Sequence, residues 1–100
     1  MKISIIIPVF NEEKTIYEIL YKIKEVKNIN KEIIVVDDGS TDMSKNIIDK
    51  KCQKLISKKI FLGKNYGKGY ACRKGIEKAS GEIILIQDAD LEYNPQNYYD

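Results

Sequence analysis

The sequence predicts an α/β fold whose open, mainly parallel sheet is covered by helices on both faces. Three observations lead there. Short β-branched runs alternate with helical periodicities, the runs are apolar at consecutive positions, and the segments joining them are of crossover length, which suits parallel pairing.

The first run, Lys2 to Phe10 (KISIIIPVF), reads as a central strand apolar on both faces. Asn11 is then expected to cap a helix whose start suits Glu12 and Glu13 and whose apolar stripe is Ile16, Ile19, Leu20 and Ile23, ending near Lys27. Polar residues 28–31 lead into a second buried strand, Glu32 to Val36 (EIIVV). The hexapeptide Asp37-Asp38-Gly39-Ser40-Thr41-Asp42 turns the chain into a second helix that Ser40 is expected to cap. Ile47, Ile48, Cys52, Leu55 and Ile56 share one face of that helix, and Lys45, Lys50, Lys51, Lys54 and Lys58 form its solvated side. Lys59 to Leu62 gives a short third strand, Gly63 to Gly69 a glycine-rich loop, and Tyr70 to Ala79 a third helix stopped by Ser80-Gly81. A fourth buried strand, Glu82 to Gln87 (EIILIQ), runs into Asp88-Ala89-Asp90. The tail, Tyr93 to Asp100, is rich in turn formers around Pro95.

With 100 residues, 43% of them hydrophobic and 32% charged, the chain has room for one domain and shows no repeat or low-complexity segment. No apolar run approaches the roughly 20 residues of a membrane span, and no small-residue cleavage site follows the first strand. Seventeen Lys and Arg against 15 Asp and Glu leave a net +2, too balanced for a nucleic-acid-coating surface. Cys52 and Cys72 fall on apolar helix faces without CxxC spacing, so a reducing, cytoplasmic setting without a disulfide is expected. The absence of His removes zinc sites and Ser/His or Cys/His pairs. Carboxylates, Lys, backbone amides or a hard metal remain.

In open parallel sheets ligands bind outside the carboxyl ends of the strands, where the strand order reverses. The polar clusters follow this rule: Asn11-Glu12, Asp37-Asp38 and Asp88-Ala89-Asp90 all follow strands. Asp88 and Asp90, with Glu92 nearby, suit Mg²⁺ or Mn²⁺. An Asx turn ending the strand is the competing reading of the same residues. Asp37 and Asp38 could accept hydrogen bonds from a nucleobase or ribose, and capping by Ser40 does not account for two adjacent carboxylates. The loop Gly63 to Gly69 fits neither phosphate-loop pattern, because three residues separate its glycines and Gly69 follows Lys68. The helix start after Gly67 could attract an anion, and a simple glycine turn explains it equally well.

Together, IIPVFNEE (Ile6 to Glu13), VVDDGSTD (Val35 to Asp42), NYGKGYA (Asn65 to Ala71) and IQDADLEY (Ile86 to Tyr93) closely resemble the start of the inverting glycosyltransferases of the GT-A fold. The likeness is greatest to the dolichyl- or polyprenyl-phosphate mannosyltransferase branch. It implies that residues 1–100 are a Rossmann-like, N-terminal nucleotide-sugar-binding half, truncated before the acceptor-binding part. It also implies that Pro8, Phe10, Glu12, Val36 and Asp38 line the nucleoside pocket and that Asp88, Ala89 and Asp90 lie against the diphosphate. By the same resemblance Asp88, Asp90 and Glu92 bind Mg²⁺ or Mn²⁺, with Asp88 and Asp90 catalytic. Phe10 stands where the family often has Tyr, and Glu92 where many members have Gln.

The implied reaction moves a hexose, mannose or glucose, from GDP-mannose or UDP-glucose to a polyprenyl or dolichyl phosphate. The implied setting is the cytoplasmic face of a membrane, with attachment through a C-terminal part and no nucleic-acid partner. Two other readings compete: a catalytically incomplete nucleotide-binding fragment, and a receiver-like Mg²⁺-binding regulatory domain. The receiver would need its acidic pair after the first strand, where Phe10-Asn11-Glu12 stands. A sugar-phosphate nucleotidyltransferase would need a glycine-rich basic loop there.

Overall fold

A computed structural model describes residues 1–89. Asp90, Glu92 and the tail expected to be turn-rich lie outside the described residues. The elements are β1 (Lys2–Val9), α1 (Ile16–Glu25), β2 (Asn30–Asp37), α2 (Ser44–Lys50), a 3₁₀ turn (Gln53–Leu55), β3 (Lys58–Phe61), α3 (Lys68–Glu77) and β4 (Ile83–Ile86). All strand pairs are parallel, in the order β3-β2-β1-β4. The β1/β2 register runs from Lys2 opposite Asn30 to Val9 opposite Asp37. A receiver-like sheet would seat β3 beside β1. Here β3 lies beside β2, and the strand order reverses at β1.

Strand alternation divides β1 and β2 between two cores, as consecutive apolar residues require. Ile5, Ile7, Val9, Ile33 and Val35 meet Ile16, Ile19, Leu20 and Ile23 of α1 and Ile48 of α2. On the opposite face Ile6, Ile34 and Val36 meet Ala71 of α3. The four α1 side chains are fully buried, each worth about 1.5–3 kcal/mol of transfer free energy. That burial stabilises a ten-residue helix that would be marginal alone. On the other face Gly75 allows close approach, since a Cβ there would lie 2.5 Å from Ile6 Cγ2 and 3.2 Å from Val36 Cγ2.

Several expectations are corrected. Asn11 does not cap α1: it takes a left-handed φ of 54°, and the helix begins at Ile16 after a turn in which the amides of Thr15 and Ile16 donate to the Glu12 carbonyl. Ser40 does not cap α2, which starts four residues later. The second helix stops at Lys50, because the Lys51 and Cys52 amides both donate to the Ile47 carbonyl and a 3₁₀ turn follows. The fourth strand is not buried. Ile83, Ile84 and Ile86 are 44%, 43% and 41% exposed, because among the described residues β4 has β1 as its one sheet neighbour. Both cysteines are free. Cys52 is buried as expected, whereas Cys72 is only half-buried. Burial raises both thiols above their ordinary pKa. Among the described residues no helix is long and apolar enough to cross a membrane.

Candidate functional site

At the carboxyl end of β1 the chain leaves the sheet through Phe10, 44% exposed, and Asn11. Asn11 Oδ1 accepts from the Thr41 amide at 2.7 Å and the Asp42 amide at 3.2 Å, while its own amide donates to Ser40 Oγ at 2.9 Å. The Glu12 amide donates to Ser44 Oγ at 2.7 Å. These bonds clasp the β1–α1 loop to the β2–α2 turn. Thr15 Oγ1 donates to the Ala89 carbonyl at 2.9 Å, which ties the same loop to the end of β4.

Asp37, the last residue of β2, and Asp38 just after it make separate sets of hydrogen bonds. Asp37 Oδ2 accepts from the Ser40 amide at 3.1 Å, and Asp37 Oδ1 is a buried oxygen without a hydrogen-bond partner among the described residues. Asp38 turns toward the glycine-rich loop. Its Oδ1 accepts from the Tyr66 amide at 2.8 Å, and its Oδ2 from the Gly67 amide at 3.0 Å and Asn65 Nδ2 at 3.3 Å. Asp38 is therefore the post that holds this loop over the sheet. Gly39 must stay glycine for the same closure, because at φ 73° a Cβ would collide with the Lys64 backbone.

These elements enclose a cavity of about 460 Å³ at the carboxyl ends of β1, β2 and β4. Pro8, Phe10, Glu12, Asp38, Asp88 and Ala89, six residues singled out from the sequence, line it together with Val9, Asn65, Gly67 and Lys68. Val36 does not join them, since its side chain is fully buried in the core against α3. Asp90 and Glu92 lie outside the described residues. The sequence reading assigned no role to Asn65 and Lys68. Their signal was the NYGKG loop itself, set aside because it fits neither phosphate-loop pattern.

Asp88 follows β4, whose end is fixed where the Gln87 amide donates to the Ile6 carbonyl at 2.9 Å. Its Oδ1 pairs with the Lys68 ammonium, and its side chain is 30% exposed on the cavity wall. A hard, partly exposed carboxylate oxygen of this kind fits Mg²⁺ or Mn²⁺. Asp38 is engaged differently, since both its oxygens accept hydrogen bonds from the loop 63–69. Among the described residues no three metal-ligating side chains gather, and Asp88 is the sequence-predicted metal ligand that lies among them.

A family model described as Glycosyl transferase family 2 matches residues 4–100. The undecaprenyl-phosphate 4-deoxy-4-formamido-L-arabinose transferase of Pseudomonas savastanoi pv. phaseolicola is 35% identical over 99 residues, which cover 94% of this chain and 29% of that protein. Among solved structures, S. aureus TarS 1-349 in complex with UDP-GlcNAc superposes with a TM-score of 0.79 at 31% identity, covering 100% of this chain and 30% of that one. The mannosyltransferase PcManGT from Pyrobaculum calidifontis, in complex with GDP-Man and Mn²⁺, gives a TM-score of 0.79 at 29% identity over 88% of this chain and 27% of that one. The chain thus spans under a third of the length of each of these proteins.

Proposed function

The chain belongs to glycosyl transferase family 2, with the GT-A fold of its neighbours, and from that premise we propose that it is the N-terminal donor-binding part of a metal-dependent, inverting hexosyltransferase. The donor is a nucleotide sugar, GDP-mannose or UDP-glucose. The acceptor is a polyprenyl or dolichyl phosphate, reached by peripheral association with a membrane. The observation that carries this reading is the convergence of Pro8, Phe10, Glu12, Asp38, Asp88 and Ala89 on one cavity at the point where the strand order reverses.

In this reading Pro8 and Phe10 supply apolar surface to the nucleoside. Glu12 and Asp38 lie within reach of its polar groups, and Asp38 keeps the loop 63–69 closed beside it. Asp88, Asp90 and Glu92 would hold Mg²⁺ or Mn²⁺, with Asp88 and Asp90 as the catalytic pair. A divalent cation supplies neutralisation of the charge that develops on a departing nucleoside diphosphate. The Thr15 bond to the Ala89 carbonyl fixes the segment that carries Asp88 relative to the nucleoside side of the cavity. A lipid-phosphate oxygen is already anionic at neutral pH. It needs no protein base to attack the anomeric carbon, which suits a sequence without His.

Support for the donor comes from neighbours solved with UDP-GlcNAc and with GDP-Man and Mn²⁺. Support for the acceptor comes from a relative named for undecaprenyl phosphate. Calorimetry of GDP and UDP against the chain, with and without Mn²⁺, tests the donor reading. Binding should be tighter with Mn²⁺ and should favour one nucleotide, and Asp90→Asn should weaken the metal-dependent part. Equal affinities with and without Mn²⁺ would reduce Asp88-Ala89-Asp90 to a turn.

A further inference from the structure

Among the described residues that line the cavity, three carboxylates, Glu12, Asp38 and Asp88, face a single cation, Lys68. A nucleoside diphosphate brings further negative charge into that field, so every positive group there matters. Lys68 is the first residue of α3, next to Gly67, whose φ of 103° turns the loop into the helix. Its side chain is 61% exposed and its ammonium pairs with Asp88 Oδ1. An ion pair exposed to this degree is weak, so the contact with Asp88 is readily exchanged.

Asp88 Oδ1 is also an oxygen that a divalent cation would use, and an ammonium and a dication cannot share it closely. When the dication takes Asp88, the Lys68 ammonium remains tethered to the start of α3 on the same cavity wall. A phosphate oxygen then offers it a charge-assisted hydrogen bond, and the positive end of a ten-residue helix favours an anion at that place. Resting on the donor reading above, we propose that Lys68 is a diphosphate-binding residue that competes with the divalent cation for Asp88. Lys68 thus acts as an exchangeable cation on the donor side of the cavity, with an effect on metal affinity opposite in sign to its effect on nucleotide affinity.

The opposite signs provide the test. Mn²⁺ alone, and GDP, UDP, guanosine and uridine without metal, are titrated into the full chain and into Lys68→Met, Lys68→Arg and Lys64→Met. Lys64 is the control, an exposed lysine 5.2 Å from the Tyr66 ring and not part of the cavity lining. Lys68→Met should tighten Mn²⁺ binding about threefold to fivefold by removing a competitor worth up to about 1 kcal/mol. It should weaken metal-free diphosphate binding about tenfold or more, as expected for a lost charge-assisted hydrogen bond, and leave nucleoside binding unchanged. Lys68→Arg should retain most of the diphosphate affinity, and Lys64→Met should match the unsubstituted chain. Unchanged affinities in Lys68→Met, or Mn²⁺, nucleotide and nucleoside affinities that all fall together, would overturn the proposal. If the unsubstituted chain binds neither GDP nor UDP even with Mn²⁺, the donor reading and the diphosphate role both fail, and the Mn²⁺ titrations still decide the competition for Asp88.

Discussion

Carboxylates stand at both ends of the parallel sheet in opposite electrostatic settings. At the amino ends of the strands, Glu32 is 4% exposed. Its Oε2 accepts from Ser4 Oγ at 2.5 Å, the Ser80 amide at 2.6 Å and Ser80 Oγ at 3.0 Å, while Oε1 meets the ammonium groups of Lys58 at 3.3 Å and Lys2 at 3.7 Å. At the carboxyl ends, Asp88 is 30% exposed and has a lysine partner that is itself 61% exposed. Burial alone would raise the pKa of Glu32, but the hydrogen bonds from Ser4, Ser80 and Lys58 outweigh it and hold the carboxyl at about 2. The difference separates a carboxylate whose partners all come from within the chain, which serves stability, from one that keeps a face toward a cavity, which can serve a ligand.

The largest effect should come from emptying the closed end. Glu32→Ala strands the Ser4 hydroxyl and the Ser80 amide and leaves two ammonium groups without their carboxylate. The hydroxyl and the amide lose their acceptor at about 1–3 kcal/mol each, while the two lysines, 37% and 42% exposed, turn to water. The network also anchors the start of β4, since Ser4 Oγ accepts from the Gly81 amide at 2.8 Å and the Glu82 amide donates to the Lys2 carbonyl at 2.9 Å. Urea unfolding should therefore show a large fall in midpoint, and a loss below about 1 kcal/mol would mean that the network contributes little.

Acid should expose the same contrast without a mutation. The folded pKa of Glu32, about 2, lies below its ordinary value of 4.5, so its contribution is complete above about pH 4.5 and is lost as pH falls toward 2. The shift corresponds to a contribution on the order of 3 kcal/mol. Unfolding measured from pH 6 to pH 2 should lose that much more in the unsubstituted chain than in Glu32→Gln. Parallel curves would assign the acid sensitivity to other groups.

Legibility in the sequence divides along similar lines. β1 and β2 were readable because a strand between two helix layers has to be apolar at consecutive positions, and Ile5 to Val9 and Ile33 to Val36 are. β4 carries the same apolar pattern yet stands at the edge of the described sheet, because a run of isoleucines specifies a strand without specifying its neighbours. Asn11 read as a helix cap since capping is a local signal, whereas its actual partners, Thr41 and Asp42, lie about 30 residues away. Glu32 gave no signal for the same reason, with hydrogen-bond partners 28 and 48 residues distant. The cavity was readable at Phe10, Glu12, Asp38 and Asp88 because the rule for parallel sheets names strand ends. That rule is silent about Lys68, which reaches the site from a helix start, and it does not tell that Val36, two residues before Asp38, turns into the core.

At the open end the effect should appear in binding instead of stability. Asp88→Asn keeps the volume and removes a charge from a partly exposed site, so stability should stay within about 0.5 kcal/mol. Affinity for nucleoside diphosphate in the presence of Mn²⁺ should fall about tenfold or more, while metal-free affinity should rise as one repelling charge disappears. Paired unfolding and calorimetry measurements check this. A variant that lost several kcal/mol of stability with unchanged binding would give Asp88 the role of Glu32.

Asp42 supplies the smallest effect and the sharpest boundary. It too stands past the carboxyl end of a strand, but its Oδ1 accepts from the Ser44 amide at 2.8 Å and its Oδ2 from the Glu13 amide at 3.2 Å, and it is not part of the cavity lining. Burial raises its pKa, and the bonds from Ser44 and Glu13 more than reverse that, so the carboxyl titrates below its ordinary range. Its contribution is therefore present at neutral pH and is lost only in acid. Asp42→Asn retains an acceptor for the Ser44 amide and removes the charge, which should cost about 0.5–1 kcal/mol of stability at pH 7 and leave nucleotide affinity with Mn²⁺ within about twofold. If Asp42→Asn weakened nucleotide binding as much as Asp88→Asn, position at the carboxyl end of the sheet would govern binding by its long-range field alone. A selective loss in Asp88→Asn instead makes exposure to the cavity the deciding property, since both carboxylates carry the same charge at the same end of the sheet.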